Sequence, residues 1–253
     1  MRVIVTRPAA QAVGWVERLR DAGHDAVALP LIEIADAGDP APVRAAWDRL
    51  AERRLVVFVS PNAAERFMAA RPAGMTWPAG TRAGSSGPGT SQSLLERGVP
   101  AACLVEPPAD APQFDSEALW ARLVGEDWQG ARVLIVRGDG GREWLADTLR
   151  ARGAVVEHVA AYRRCVPTLD GERRAVLARA LAAPQGHLWL FSSSEAIDNL
   201  DASAGPGTDW TRSRAVATHE RIAERARRLG FSQVTLARPS LAAVSACIQS
   251  MAT

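Results

Sequence analysis

Residues Val56–Phe67 read VVFVSPNAAERF: an unbroken apolar run, then Ser-Pro-Asn, then residues at helical spacing. Residues Leu188–Leu200 read LWLFSSSEAIDNL, the same strand–serine–helix order, with Val56 falling on Leu188, Ser60 on Ser192 and Ala64 on Ala196 at an offset of 132. The match extends outward at that offset: TRAGSSGPGTSQSLLERGV (81–99) lies on SRAVATHERIAERARRLGF (213–231), and Glu106-Pro107 on Arg238-Pro239. The opening RVIVTRPAAQAVGWVERLRDAG (2–23) matches RVLIVRGDGGREWLADTLRARG (132–153) at an offset of 130, with Arg7 on Arg137 and Gly23 on Gly153. A repeat of this length is far longer than a solenoid unit and reads as a duplicated α/β domain.

Short apolar strands alternate with amphipathic helices along the chain. Strands are expected near 3–6, 26–32, 55–60, 81–85, 102–105, 132–137, 155–162, 187–192, 214–217 and 233–237, with helices filling the gaps. Alternation at these lengths predicts parallel sheets with helices on both faces, and ten strands are more simply housed in two five-stranded sheets than in one. The repeat leaves open whether each copy folds alone. LIEIADAGDP (31–40) and YRRCVPTLDG (162–171) occupy equivalent places; if both are linkers, the first two strands pack with the last three.

Composition bounds the chemistry. All 30 basic residues are arginine, so a Schiff-base lysine and the Gly-Lys-Ser/Thr of a phosphate loop are excluded. A net charge of +2 with mixed signs disfavours a nucleic-acid stripe, while scattered arginines suit small carboxylate ligands. Cys103, Cys165 and Cys247 are odd in number and widely spaced, which disfavours a disulfide framework or a Cys-x-x-Cys site. No apolar run approaches the ~18–20 residues of a membrane helix. The start, MRVIVTRP, lacks the apolar core of a signal peptide, and a cytoplasmic address is the expectation.

Ligands of open parallel sheets bind beyond the carboxyl ends of strands, where helix N-termini present unpaired N–H groups. Six junctions rich in Gly, Ser or Thr fall at such places: Thr6-Arg7-Pro8, Ser60-Pro61-Asn62, Ser85–Thr90, Arg137–Arg142, Ser192-Ser193-Ser194 and Thr218-His219-Glu220. Each also reads as plain helix capping; together they suggest a cleft for a ligand with several anionic groups. Stricter motifs fail. Gly138-Asp-Gly140-Gly141 is not a dinucleotide fingerprint, the histidines at 24, 158, 187 and 219 have no metal-ligand spacing, and no Gly-x-Ser-x-Gly elbow occurs. Tyr162, the only tyrosine, ends a predicted strand and is either packing or a hydrogen-bond donor to a ligand.

Taken in order, several motifs resemble the uroporphyrinogen-III synthase family. They are Val5-Thr-Arg-Pro8, Phe58–Ala63, Gly87-Pro-Gly-Thr90 with Gly98, Arg137–Glu143, Val159–Arg164, Phe191–Ala196 and Ala217–Ala223. The resemblance implies an α/β fold of two similar, doubly wound parallel-sheet domains, flavodoxin-like and duplicated, joined by a two-stranded linker. It favours interleaving: 1–34 plus 169–253 as one domain, 38–164 as the other, and 35–37 and 165–168 as linkers. It implies a lyase that acts without cofactor or metal on hydroxymethylbilane, a linear tetrapyrrole with eight carboxylate arms, closing it to uroporphyrinogen III with ring D inverted through a spiro-pyrrolenine.

By family position, Tyr162 is the candidate for assisting hydroxyl departure. Ser60, Asn62, Ser86, Gly87, Thr90, Arg137, Gly138, Ser192, Ser194 and His219 are the candidates for substrate binding. Where the family usually has Gly-x-x-Thr, this chain has His219–Ile222, which leaves His219 or Thr218 to replace a threonine contact. A monomer is implied, in transient contact with the preceding pathway enzyme and with neither nucleic acid nor membrane as partner. A different class, a non-catalytic two-domain protein that binds an anionic small molecule, shares the duplicated domains and capped junctions. A nucleotide-sugar transferase is disfavoured, because no Asp-x-Asp motif is evident.

Overall fold

The computed structural model describes residues 1–252. In the first half the elements are β1 (Arg2–Val5), α1 (Ala9–Asp21), β2 (Ala26–Ala28), β3 (Glu33–Asp36), α2 (Ala41–Asp48), β4 (Leu55–Phe58), α3 (Pro61–Ala69), β5 (Arg82–Ser85), α4 (Pro88–Glu96), β6 (Leu104–Val105) and α5 (Ser116–Trp120). There follow β7 (Arg132–Gly138), α6 (Trp144–Ala151), β8 (Val155–Cys165), α7 (Gly171–Ala182), β9 (His187–Phe191), α8 (Ser194–Ala204), β10 (Arg214–Ala217), α9 (Glu220–Leu229), β11 (Gln233–Leu236) and α10 (Leu241–Ala252).

The chain divides into two compact units, one of residues 1–33 and 165–253, the other of residues 34–164. The first holds a five-stranded sheet in the order β11-β10-β9-β1-β2, its pairings all parallel. The second holds a six-stranded sheet in the order β3-β8-β7-β4-β5-β6. The duplication explains both orders. β1 and β2 of the first copy join β9–β11 of the second, while β7 and β8 of the second copy join β4–β6 of the first. Each sheet is therefore a 2-1-3-4-5 arrangement, the order of flavodoxin-like folds.

The second sheet has six strands rather than the expected five because Glu33–Asp36 add β3 beside β8. Ala35 and Asp36, expected within a linker, lie in this strand, and Cys165 completes β8. Arginine contacts fasten β3: Arg66 binds the Asp36 carboxylate and the Ile34 carbonyl, and Arg163 Nε donates to the Asp36 carbonyl at 3.1 Å.

Both sheets are covered on two faces, so their central strands are continuous apolar runs rather than alternating ones. In the first unit, Val3, Val5, Leu188 and Leu190 pack on Trp15, Val16 and Leu19 of α1 and on Val244 and Ile248 of α10. On the other face Trp189 and Phe191 stack at 6.0 Å; Phe231 meets Phe191 edge-on at 5.6 Å and stacks on Trp210 at 5.3 Å. In the second unit, Val56 and Phe58 meet Phe67 of α3, Trp77 and Trp47 of α2. Leu55, Val57, Val133 and Ile135 face Leu119, Leu123, Trp128 and Leu149. Trp47 and Trp128 send their ring N–H groups to the carbonyls of Phe67 and Leu123, which lets both rings be buried without an unmet donor. Among the described residues, no helix is long and apolar enough to cross a membrane.

Candidate active site

Strand order reverses between the first and third strands of a 2-1-3-4-5 sheet, and the crevice at their carboxyl ends is where such folds bind ligands. In the second unit these are β7 and β4, which deliver Gly138 and Ser60 to one edge. In the first unit they are β1 and β9, which deliver Arg7 and Ser192.

At the second unit's switch point, Ser60 is the N-cap of α3: its Oγ accepts from the Ala63 N–H at 3.1 Å. The same Oγ lies 3.1 Å from Tyr162 Oη. Tyr162 reaches it through a bulge. β7 and β8 pair in steady register up to Arg137 with Ala160, after which Gly138 pairs with Tyr162 and Ala161 is skipped. One extra residue breaks the alternation, so Ala161 and Tyr162 are both buried and the ring turns over β7. A glycine fits closely beneath it: a Cβ at Gly138 would lie 3.1 Å from Tyr162 Cε2 and Cζ, tighter than ordinary van der Waals contact.

The neighbouring junction is held by hydroxyls. Ser86 Oγ donates to the Val59 carbonyl at 3.1 Å, which ties the end of β5 to the end of β4. Ser85 Oγ accepts from the Gly87 N–H at 3.1 Å and lies 2.6 Å from Ser91 Oγ, which donates to the Glu106 carboxylate. Gly87 is pressed against Phe114, whose Cβ would be 2.8 Å from a Cβ on residue 87. Thr90, expected among the binding residues, is 2% exposed within α4, while α4 itself has no side-chain cap. Asn62 is the second residue of α3.

Arg137 does not project as a free cation. Its Nη1 pairs closely with Glu143 Oε1, and Glu143 also lies 3.8 Å from Arg150 and 3.3 Å from His158 Nε2. The Arg137 hydrogen bond holds the Glu143 carboxyl below the usual carboxylate range. Burial, aided by the Arg137 charge, pushes His158 down, so its ring is neutral at neutral pH.

In the first unit, Ser193 is the N-cap of α8, yet its side chain makes no capping bond. None of the Ser192, Ser193 and Ser194 hydroxyls has a protein partner among the described residues, and all are partly exposed. Three free hydroxyls at an uncapped helix N-terminus form a ready donor set for an anion. His219 differs: as N-cap of α9 its Nδ1 accepts from the Arg221 N–H at 3.2 Å, so the ring is already engaged.

The structure therefore gathers Ser60, Asn62, Ser86, Gly87, Arg137, Gly138 and Tyr162 at the strand ends of one unit, and Ser192, Ser194 and His219 at those of the other. The Ser85–Ser91–Glu106 chain and the Phe114 contact carry no motif that sequence could reveal. A cavity of about 500 Å³ along residues 108–121 contains none of the predicted residues.

The family model described as uroporphyrinogen-III synthase HemD matches residues 14–246. The chain belongs to the uroporphyrinogen-III synthase family. It is 33% identical to the uroporphyrinogen-III synthase of Salmonella typhimurium, across 94% of this chain and 95% of that one. It is 27% identical to the synthase of Synechococcus elongatus, across 83% and 77%. Its fold is that of a mutant uroporphyrinogen III synthase from the extremely thermophilic bacterium Thermus thermophilus, with a TM-score of 0.63 at 17% identity over 100% of this chain and 98% of that one. It is equally that of the Helicobacter pylori enzyme, with a TM-score of 0.58 at 14% identity over 99% and 100%. As a member of the uroporphyrinogen-III synthase family, the chain is to be understood as a lyase of tetrapyrrole biosynthesis.

Proposed function

We propose that this protein converts hydroxymethylbilane to uroporphyrinogen III, closing the linear tetrapyrrole with loss of water and inversion of ring D. The observation that carries this proposal is the family match along residues 14–246. The site chemistry supports it. The bilane cyclises unaided to the uninverted isomer, so the enzyme's task is to hold a conformation in which the substituted carbon of ring D is attacked. Donors fixed at strand ends suit that task. The Ser192 and Ser194 hydroxyls, the uncapped N-termini of α4 and α8, and Asn62 bind carboxylate arms, while Ser86 and Gly87, held to Val59 and Ser85, shape the strand end.

Tyr162 assists departure of the terminal hydroxyl by donating a hydrogen bond from Oη, with Ser60 orienting the phenol. The leaving group departs as water, giving an azafulvene that ring D attacks at its substituted carbon. The spiro-pyrrolenine so formed fragments and recloses with ring D reversed. No cofactor enters this scheme. We place the protein in the cytoplasm as a monomer that receives its unstable substrate from the preceding enzyme of the pathway.

Turnover separates this function from simple binding. With substrate in hundredfold excess over protein, an enzyme consumes the bilane in many cycles, each faster than spontaneous closure. A binding protein sequesters one equivalent and slows the remainder not at all.

A further inference from the structure

The duplication sets Arg7 at the end of β1 where it sets Arg137 at the end of β7, and both strands stand first in their 2-1-3-4-5 order. The two guanidinium groups have different surroundings. Arg137 is neutralised by Glu143. At the offset of 130, Glu143 falls on Val13, and among the described residues no carboxylate pairs with Arg7.

Arg7 is nonetheless partly withdrawn from water. Its guanidinium carbon lies 4.6 Å from the centre of the Trp15 ring, which fixes its plane by a cation–π contact. Arg18 lies over the same ring at 5.2 Å, so a second positive charge sits nearby. Nη1 reaches Gln11 Oε1 only at 3.5 Å, and Nε is buried with no hydrogen-bond partner. Burial and the Arg18 charge lower the Arg7 pKa to about 10, which still leaves a full cation at neutral pH. The adjoining α1 has thirteen residues and no side-chain cap at Pro8. A held, half-buried guanidinium without a counter-charge, beside an uncapped helix N-terminus, is an incomplete ion pair.

We infer that Arg7 binds one carboxylate arm of the substrate, and that it is the member of the duplicated arginine pair left unmatched for this purpose. The inference rests on the proposed function for the identity of the carboxylate, though not for the need of an anion. A carboxylate reaching the partly exposed guanidinium supplies the counter-charge that Arg7 lacks.

Two variants test it in the full chain. Arg7→Gln removes the charge, and Gln11→Glu, nearly isosteric, places an internal carboxylate beside Arg7 and competes with the ligand. Initial rates of isomer III formation from freshly generated hydroxymethylbilane should show KM raised about tenfold or more in each, with kcat within about threefold of the parent, the effect of losing a uniform binding contact. Arg7→Lys should recover part of the KM. Binding of uroporphyrin, an octacarboxylate, followed by fluorescence quenching should weaken in parallel. This second readout does not need turnover, so an inactive parent protein would count against the proposed function while leaving the Arg7 inference open to the binding assay. Unchanged KM and unchanged uroporphyrin affinity in a folded Gln11→Glu protein would overturn the inference, as would loss of kcat alone.

Discussion

Tyr162 Oη and Ser60 Oγ stand 3.1 Å apart, and the same Ser60 oxygen caps α3. One hydroxyl thus ties a helix N-terminus to the phenol that a one-residue bulge has turned over β7. Tyr162→Phe should lower kcat about a hundredfold or more, the range of a lost proton donor, and change KM little. The structural cost of losing one hydrogen bond should be about 1 kcal/mol in denaturant unfolding. Steady-state kinetics with unchanged kcat would make Tyr162 a packing residue.

Gly138 leaves room for that ring. Gly138→Ala sets a methyl group 3.1 Å from the Tyr162 ring carbons, so the ring must give by a few tenths of an ångström, which disturbs its 3.1 Å contact with Ser60 Oγ. Stability should fall by about 1–3 kcal/mol, and kcat should drop to the level of Tyr162→Phe. Combining the two substitutions should then cost little further activity, because each removes the same interaction. Additive losses in kcat would show that Gly138 acts independently of Tyr162.

Gly87 makes a comparable demand on the segment before α5. Gly87→Ala would bring a Cβ to 2.8 Å from Phe114 Cβ, too close to be absorbed without backbone movement. The expected loss is about 1–3 kcal/mol by chemical denaturation. In a Phe114→Gly background, which removes the clashing atom, the same substitution should cost much less. An equal cost in both backgrounds would contradict the assigned contact.

Much of this architecture is legible in the sequence, because duplication turns weak local signals into paired ones. Ser60 and Ser192 identify each other, as do Arg7 and Arg137, and the apolar runs of β4 and β9 require sheets buried on both faces. What escapes has a physical reason. β3 is four residues with no apolar pattern, fixed by β8 and by Arg66 and Arg163 rather than by its own propensity. The bulge at Ala161 depends on register between strands, which no local spacing encodes. Equivalent serines also differ in use: Ser60 caps its helix, whereas the hydroxyls of Ser192–Ser194 remain without protein partners among the described residues. Sequence places Arg137 in the binding set but cannot show that Glu143 already holds it.

Acid should loosen the second unit through Glu157. Arg53, its side chain 2% exposed, donates from Nη1 and Nη2 to the two Glu157 carboxylate oxygens at 2.8 Å each. These hydrogen bonds hold the Glu157 pKa below its ordinary value of 4.5. Because the folded state favours the charged form, the contribution is complete above pH 4.5 and is lost as pH falls through the depressed folded value. Glu157→Gln should therefore lower the melting temperature at pH 7, and the gap from the parent should narrow as pH falls below 4.5. A gap independent of pH would mean that the charge of Glu157 contributes nothing.

The central claim is that this chain directs ring D inversion, and isomer composition tests it most directly. Hydroxymethylbilane generated in place is mixed with the protein, the products are oxidised to uroporphyrins, and the isomers are separated by chromatography against a protein-free control. The account predicts that isomer III predominates with protein and isomer I without it. Isomer I alone in both samples would contradict the account.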